Sequence, residues 1–97
     1  MNSNGYVPQP VDLSDVELPA ELVALAETIS KNVHEIWALN RMNEGWKYGL
    51  QRDDALRHTP CLVPYDELPE EEKRYDRDTA LNTLKYIVSL GFEIKKK

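Results

Sequence analysis

A mainly α-helical domain with little or no β structure is what this chain of 97 residues predicts. Leu22, Leu25, Ala26, Ile29, Val33, Ile36 and Trp37 recur at the three- and four-residue spacing of one helix face. Ala80, Leu81, Leu84, Ile87, Val88 and Leu90 do the same near the other end, over about half of the helix circumference. Between the two sets Gly45, Gly49, Pro60 and Pro64 interrupt any sustained period.

Taken in order, Met1–Gly5 is polar and expected to be disordered. Tyr6-Val-Pro-Gln-Pro10 favours an extended arm, because proline fixes its own φ and biases its predecessor; Tyr6, Val7 and Val11 are the residues expected to hold it to the body. Leu18-Pro19 followed by Glu21 signals the start of a first helix, proline costing nothing in a first turn, and the apolar stripe ends near Asn43, before Gly45. The stretch from Gly45 to Tyr65 reads as a long ordered connection with a short extended pairing near Tyr48 or Leu62. Trp46, Tyr48, Leu50, Leu62, Val63 and Tyr65 give it anchors that a solvated linker lacks. Pro69 to Tyr75 reads as a short acidic helical turn, with Glu70-Glu-Glu72 favoured by the helix dipole. Asp76 or Asp78 then caps a second long helix through Leu90, closed by Gly91. Phe92-Glu-Ile94 alternates as an edge strand does, and Lys95-Lys-Lys97 forms a basic tail. Residues 6–94 thus make a single domain.

Composition bounds the function. A chain of this length holds one core and one site. Lone Cys61 excludes an intrachain disulfide, and the chain opens on no charged and apolar leader, which points to a reducing cytoplasm; no segment is apolar enough to span a bilayer. With 12 basic and 17 acidic residues the net charge is −5, which argues against a nucleic-acid backbone as partner. The charge is uneven: residues 41 to 58 hold Arg41, Lys47, Arg52 and Arg57 against Glu44, Asp53 and Asp54. A small anion is steered toward that less acidic segment.

The residues with chemistry to offer lie in the same segment. Trp46 sits in a connector beside Lys47 and Tyr48, where an exposed indole stacks on a planar ring or plugs the loop onto the helices. Arg52-Asp53-Asp54 admits a turn, an internal ion pair, or an arginine that holds a phosphate or carboxylate while an acid fixes its orientation. His58 and Cys61 resemble half of a zinc site, but only His34 remains to join them apart from carboxylates, so no metal is expected. Cys61 reads as a small buried hydrophobe, His34 as a residue on the polar flank of the first helix, and Trp37 as core. No nucleophile–base pair and no phosphate-cradling glycine loop is visible, so an enzyme is the weakest reading and no cofactor is called for.

His34-Glu-Ile-Trp37, Glu44-Gly-Trp-Lys-Tyr-Gly49, Arg52-Asp-Asp54, Pro60-Cys-Leu-Val-Pro-Tyr65, Leu68-Pro-Glu70, Glu72-Lys-Arg-Tyr-Asp-Arg77, Thr83-Leu-Lys85 and Leu90-Gly91 come in an order and spacing that resembles the RyR domain, the short repeat of ryanodine receptors that also occurs in bacterial proteins. The resemblance covers roughly Tyr6 to Ile94 and suggests a bacterial stand-alone copy. It implies a non-enzymatic, ligand-sensing module for a nucleotide-like small anion. The implied pocket draws on Trp46, Tyr48 and Arg52, with His58 and Tyr65; Lys47 adds an anion contact, and Asp53 or Asp54 orients Arg52. It also admits Arg77 as a strut that meets Asp53 or Asp54 across the fold. The rival expectation is a protein-interaction module or homodimer without a small ligand, because a single copy leaves exposed what a tandem twin covers.

Overall fold

The computed structural model describes residues 5–97; the disorder expected of Met1–Gly5 therefore falls, except for Gly5, outside the described residues. The first helix, α1 (Ala20–Asn43), has no glycine or proline in its interior and is rich in Ala, Leu and Glu. It starts on Pro19, whose carbonyl accepts the Leu22 and Val23 amides at 2.9 and 3.1 Å. It stops where Gly45 takes φ +93°, a conformation that L side chains resist. There the Gly45 amide donates to Met42 O at 3.0 Å and the Trp46 amide to Arg41 O at 2.9 Å, the paired bonds of a Schellman motif. The reversal lays Trp46 back over the last turn of α1.

Burial on α1 follows Leu22, Ala26, Ser30 and His34, a row of four-residue steps. Such a row winds obliquely across the helix surface instead of running along it. The expected stripe is corrected accordingly: Leu25, Val33 and Ile36 are exposed at 39, 44 and 53 %, while His34, expected on a polar flank, is only 4 % exposed. Sequence hydrophobicity misses this row because two of its members are polar. Ser30 satisfies its hydroxyl on Ala26 O at 2.7 Å, and His34 Nε2 lies 2.7 Å from Val63 O.

The second helix, α2 (Glu70–Ser89), runs without interruption. The acidic residues Glu70–Glu72 form its own first turn, and Pro69 takes the N-cap position expected of Asp76 or Asp78. With no glycine or proline from 70 to 89, nothing breaks the backbone at Tyr75. Gly91 at φ +97° closes α2 by a second Schellman pair, with Gly91 N–H on Val88 O at 3.0 Å and Phe92 N–H on Ile87 O at 3.3 Å. Ala80 and Leu84 meet Ala26 at the α1–α2 contact, flanked by Leu18, Ile29, Leu81 and Ile94. With two alanines among its three buried members, the core at this contact is small. Phe92–Ile94 forms no strand: Phe92 is 65 % exposed and Ile94 packs partly on that core.

The connection between the helices is ordered and has little β structure. Strand β1 (Lys47–Tyr48) pairs in parallel with β2 (His58–Thr59), held by Lys47 N–H on Arg57 O at 2.8 Å and Gly49 N–H on Thr59 O at 3.2 Å. The chain between them doubles back: Asp53 and His58 exchange two 2.9 Å backbone bonds, and Arg57 takes φ 58° to complete the turn. A short 3-10 turn at Tyr65–Glu67 then buries Tyr65 before α2. The N-terminal arm runs beside α2, where Pro10, Val11 and Leu13 face Thr79, Thr83 and Tyr86 across a shallow groove. Leu13 is its buried residue; Tyr6, Val7 and Val11, expected to hold it, are 66, 70 and 57 % exposed.

Candidate ligand-binding site

The oblique burial on α1 turns His34 and Trp37 toward the connection, and a ladder of rings and guanidinium groups grows from them. His34 stacks on Trp37 with centroids 5.6 Å apart and meets the Tyr65 ring edge-on at 6.2 Å. Arg41, one turn on, lies 5.8 Å from the Trp37 ring and 5.3 Å from Trp46, and Arg52 lies 5.5 Å from the same Trp46 ring. Alternating cations and π faces attract at about 0.5–1 kcal/mol per exposed contact. The ladder thus ties the connection to α1 in addition to the connection's buried Leu62, Tyr65 and Leu68. Trp46 and Arg52 touch, and their contact is a cation–π stack.

Beside the ladder opens a cavity of about 310 Å³ between α1, the connection and α2. Val33, His34 and Trp37 line it from α1, Arg52, Thr59, Cys61 and Leu68 from the connection, and Glu72, Tyr75 and Asp76 from α2. Two aromatic side chains, one guanidinium and two carboxylates thus line one space at the lower end of the usual size for a ligand pocket. Arg52 donates its Nε to Asp54 Oδ1 at 2.8 Å, which raises the guanidinium pKa and fixes its orientation. Asp54 engages Nε alone, so the terminal nitrogens of the fork lie outside that ion pair. Across the cavity, burial holds the Asp76 carboxyl above its ordinary range; His34 opposes that shift and Glu72 reinforces it. Burial, and after it the Glu72 carboxylate 3.6 Å away, push the Cys61 thiol upward, so this sulfur is not an activated thiolate.

The other residues expected at a site are spread more widely. Lys47 and Tyr48 are exposed on β1 and do not line the cavity, and neither does Trp46. Asp53 builds the turn, its carboxylate accepting the Leu56 amide at 3.1 Å. His58 lies under Gly49, within contact range of that backbone. Tyr65 is core, 4 % exposed, its hydroxyl buried beside Arg77 and Glu27 without a well-aligned hydrogen bond to either; burial raises its pKa. Arg77 meets neither Asp53 nor Asp54. It bridges Glu27 of α1, at 3.0 Å, and Glu70, two turns earlier on its own face of α2. Sequence reasoning misses Trp37, Glu72, Tyr75 and Asp76 as candidates because their helical spacing reads as core or as solvated charge; only their junction with Arg52 marks them.

Among the described residues no group of three or more His, Cys, Asp or Glu stands where it could hold a metal ion. No helix among them is long and apolar enough to cross a membrane. The sequence model of the RyR domain matches residues 6–96, nearly the whole chain. Arm, two helices and the structured connection with its cavity all lie inside that match, and the chain belongs to the RyR domain family.

Proposed function

We propose that the domain is a non-enzymatic recognition module for a small planar ligand with an anionic group at one end, a nucleotide-like molecule being the best fit. The observation that carries this reading is the cavity whose lining joins the aromatic side chains Trp37 and Tyr75 to the Arg52 guanidinium. A purely anionic ligand is a poor match for the interior, where Glu72 and Asp76 outnumber the one guanidinium. A nucleobase suits it better: its face stacks on an aromatic wall and its amino group donates to a carboxylate. The phosphate then lies against the Arg52 fork at the rim, with exposed Lys47 on the neighbouring strand as the next positive charge along the connection.

Isothermal titration calorimetry with adenosine, AMP, ADP, ADP-ribose and NAD tests the reading. Arg52 has a side chain 64 % exposed and one cation–π contact, so Arg52→Ala keeps the fold at the small cost of that exposed contact. The variant loses about ten- to a hundredfold in affinity for the phosphorylated ligands, the worth of a hydrogen bond to a charged group, and little for adenosine. Equal affinities in the two proteins, or no heat from any member of the panel, refute it.

A further inference from the structure

α1 carries a second periodicity of which its contacts with α2 use Ile29 alone. Leu25, Ile29, Asn32, Ile36, Leu39 and Asn43 follow one another at alternating steps of four and three residues, the heptad repeat of a two-stranded coiled coil. The middle of the seam faces away from the body, since Ile36 is two residues from buried His34, hence about 160° round the helix; its ends border the body, Leu25 beside Ile94 and Leu39 beside Leu62 and Pro64. Leu25, Ile36 and Leu39 are accordingly 39, 53 and 60 % exposed, and Ile29 is shared with the α1–α2 contact.

The molecule also exposes more surface than a finished monomer. Its accessible area is 7952 Å², against about 5,700 Å² for a compact chain of this mass. Its radius of gyration is 16.4 Å and its extents are 45 × 39 × 23 Å, against about 12.5 Å for the radius of a compact domain of this length. The N-terminal arm accounts for part of the excess. Half of it still exceeds the roughly 800 Å² that each partner contributes to a stable interface.

We propose that α1 pairs through this seam with α1 of a second copy of the chain, parallel and in register. Asn32 and Asn43 decide the orientation. In register, each faces its own counterpart and the amides satisfy one another, Asn43 at the a position where parallel coiled coils accept a buried asparagine and Asn32 at a d position. An antiparallel overlap long enough to cover Leu25 sets Asn32 against an isoleucine and Asn43 against a leucine, leaving both amides buried without partners. The flanks agree with the parallel arrangement, since Thr28 comes opposite Val33 and Glu35 opposite Asn40, with no like charges facing each other.

Sedimentation equilibrium of the intact chain from micromolar to millimolar concentration reads the proposal. The expected mass is twice 11.2 kDa. Ile36→Asp and Leu39→Asp each raise the dissociation constant by at least about a hundredfold, because the interface would bury an unpaired charge. Their far-UV circular dichroism stays unchanged, since both positions are exposed in the monomer. In a Cys61→Ser background, the Asn32→Cys variant oxidises to a disulfide-linked dimer. Leu90→Asp, at the exposed apolar residue that follows α2, and Arg52→Ala, in the ligand cavity, leave the mass unaltered. A wild-type chain that is monomeric throughout, a dimer indifferent to Ile36→Asp and Leu39→Asp, a dimer dissociated by Leu90→Asp, or a dimer that fails to cross-link at position 32 overturns the proposal.

Discussion

Replacing Gly49 by alanine tests how tightly the connection is closed. The new Cβ would lie 2.7 Å from His58 Cβ, 3.0 Å from its Cγ and 3.1 Å from Nδ1, against an optimum of about 3.5–4.0 Å between carbon atoms. The nearest atom is the first of the side chain, so rotating the imidazole does not relieve the clash, and β1 and β2 must part by nearly an ångström. The Gly49–Thr59 hydrogen bond, already 3.2 Å long, does not survive that opening. Overpacking costs about 1–3 kcal/mol and the bond about 1 kcal/mol, a loss of about 2–4 kcal/mol together. For a domain of this size that lowers the melting temperature by about 10 °C or more. Thermal melting followed by circular dichroism measures it, with Gly91→Ala as the reference. A methyl group at position 91 meets no atom within 4 Å, but the residue holds φ +97°, so its substitution incurs backbone strain alone, about 1–2 kcal/mol. If Gly49→Ala melts no lower than Gly91→Ala, the strand pair is not closed on His58 and the steric reasoning fails.

Two further outcomes concern charge. Arg77→Ala removes the bridge between Glu27 and Glu70 and lowers the melting temperature at neutral pH. Arg77 holds Glu70 below its ordinary value of 4.5, so this contribution is present above that pH and is lost as pH falls through the folded-state value. The gap between the wild-type and variant melting curves narrows in acid, and a gap that is absent at pH 7 removes Arg77 as a link between the helices. Asp76 has the opposite sign. Its raised pKa means that the folded chain binds the proton more tightly than the unfolded one, so its stabilising contribution is complete below 3.8 and is lost as pH rises through the folded value. Asp76→Asn therefore raises the melting temperature at pH 7, with a gain that shrinks toward pH 3; no gain at pH 7 contradicts the burial of this carboxylate.

Local signals determined most of the elements. Gly45 and Gly91 stop their helices because each position demands a positive φ, a requirement that belongs to the residue itself. Pro19 likewise opens α1 through its own fixed φ; Pro69 opens α2 in the same way, but the sequence pattern, read as a separate turn from Pro69 to Tyr75, places that start at Asp76 or Asp78. The apolar content of the connection required order there, and Leu62 and Tyr65 supply it by burial, whereas Tyr48 and Leu50, expected as anchors, are 53 and 85 % exposed. Tertiary structure alone decided which face of α1 is inward. Hydrophobicity favoured a stripe through Leu25, Val33 and Ile36, but the buried row passes through Ser30 and His34, whose polar atoms find partners on Ala26 O and Val63 O. The same turn of the helix brings Trp37 to the cavity and separates it from Trp46, with Arg41 between them. Which residues share a cavity depends on how two helices and a reversed connection lie against each other, and no spacing along the chain carries that information: Arg52 and Asp76 are 24 positions apart in sequence and line one wall-to-wall space.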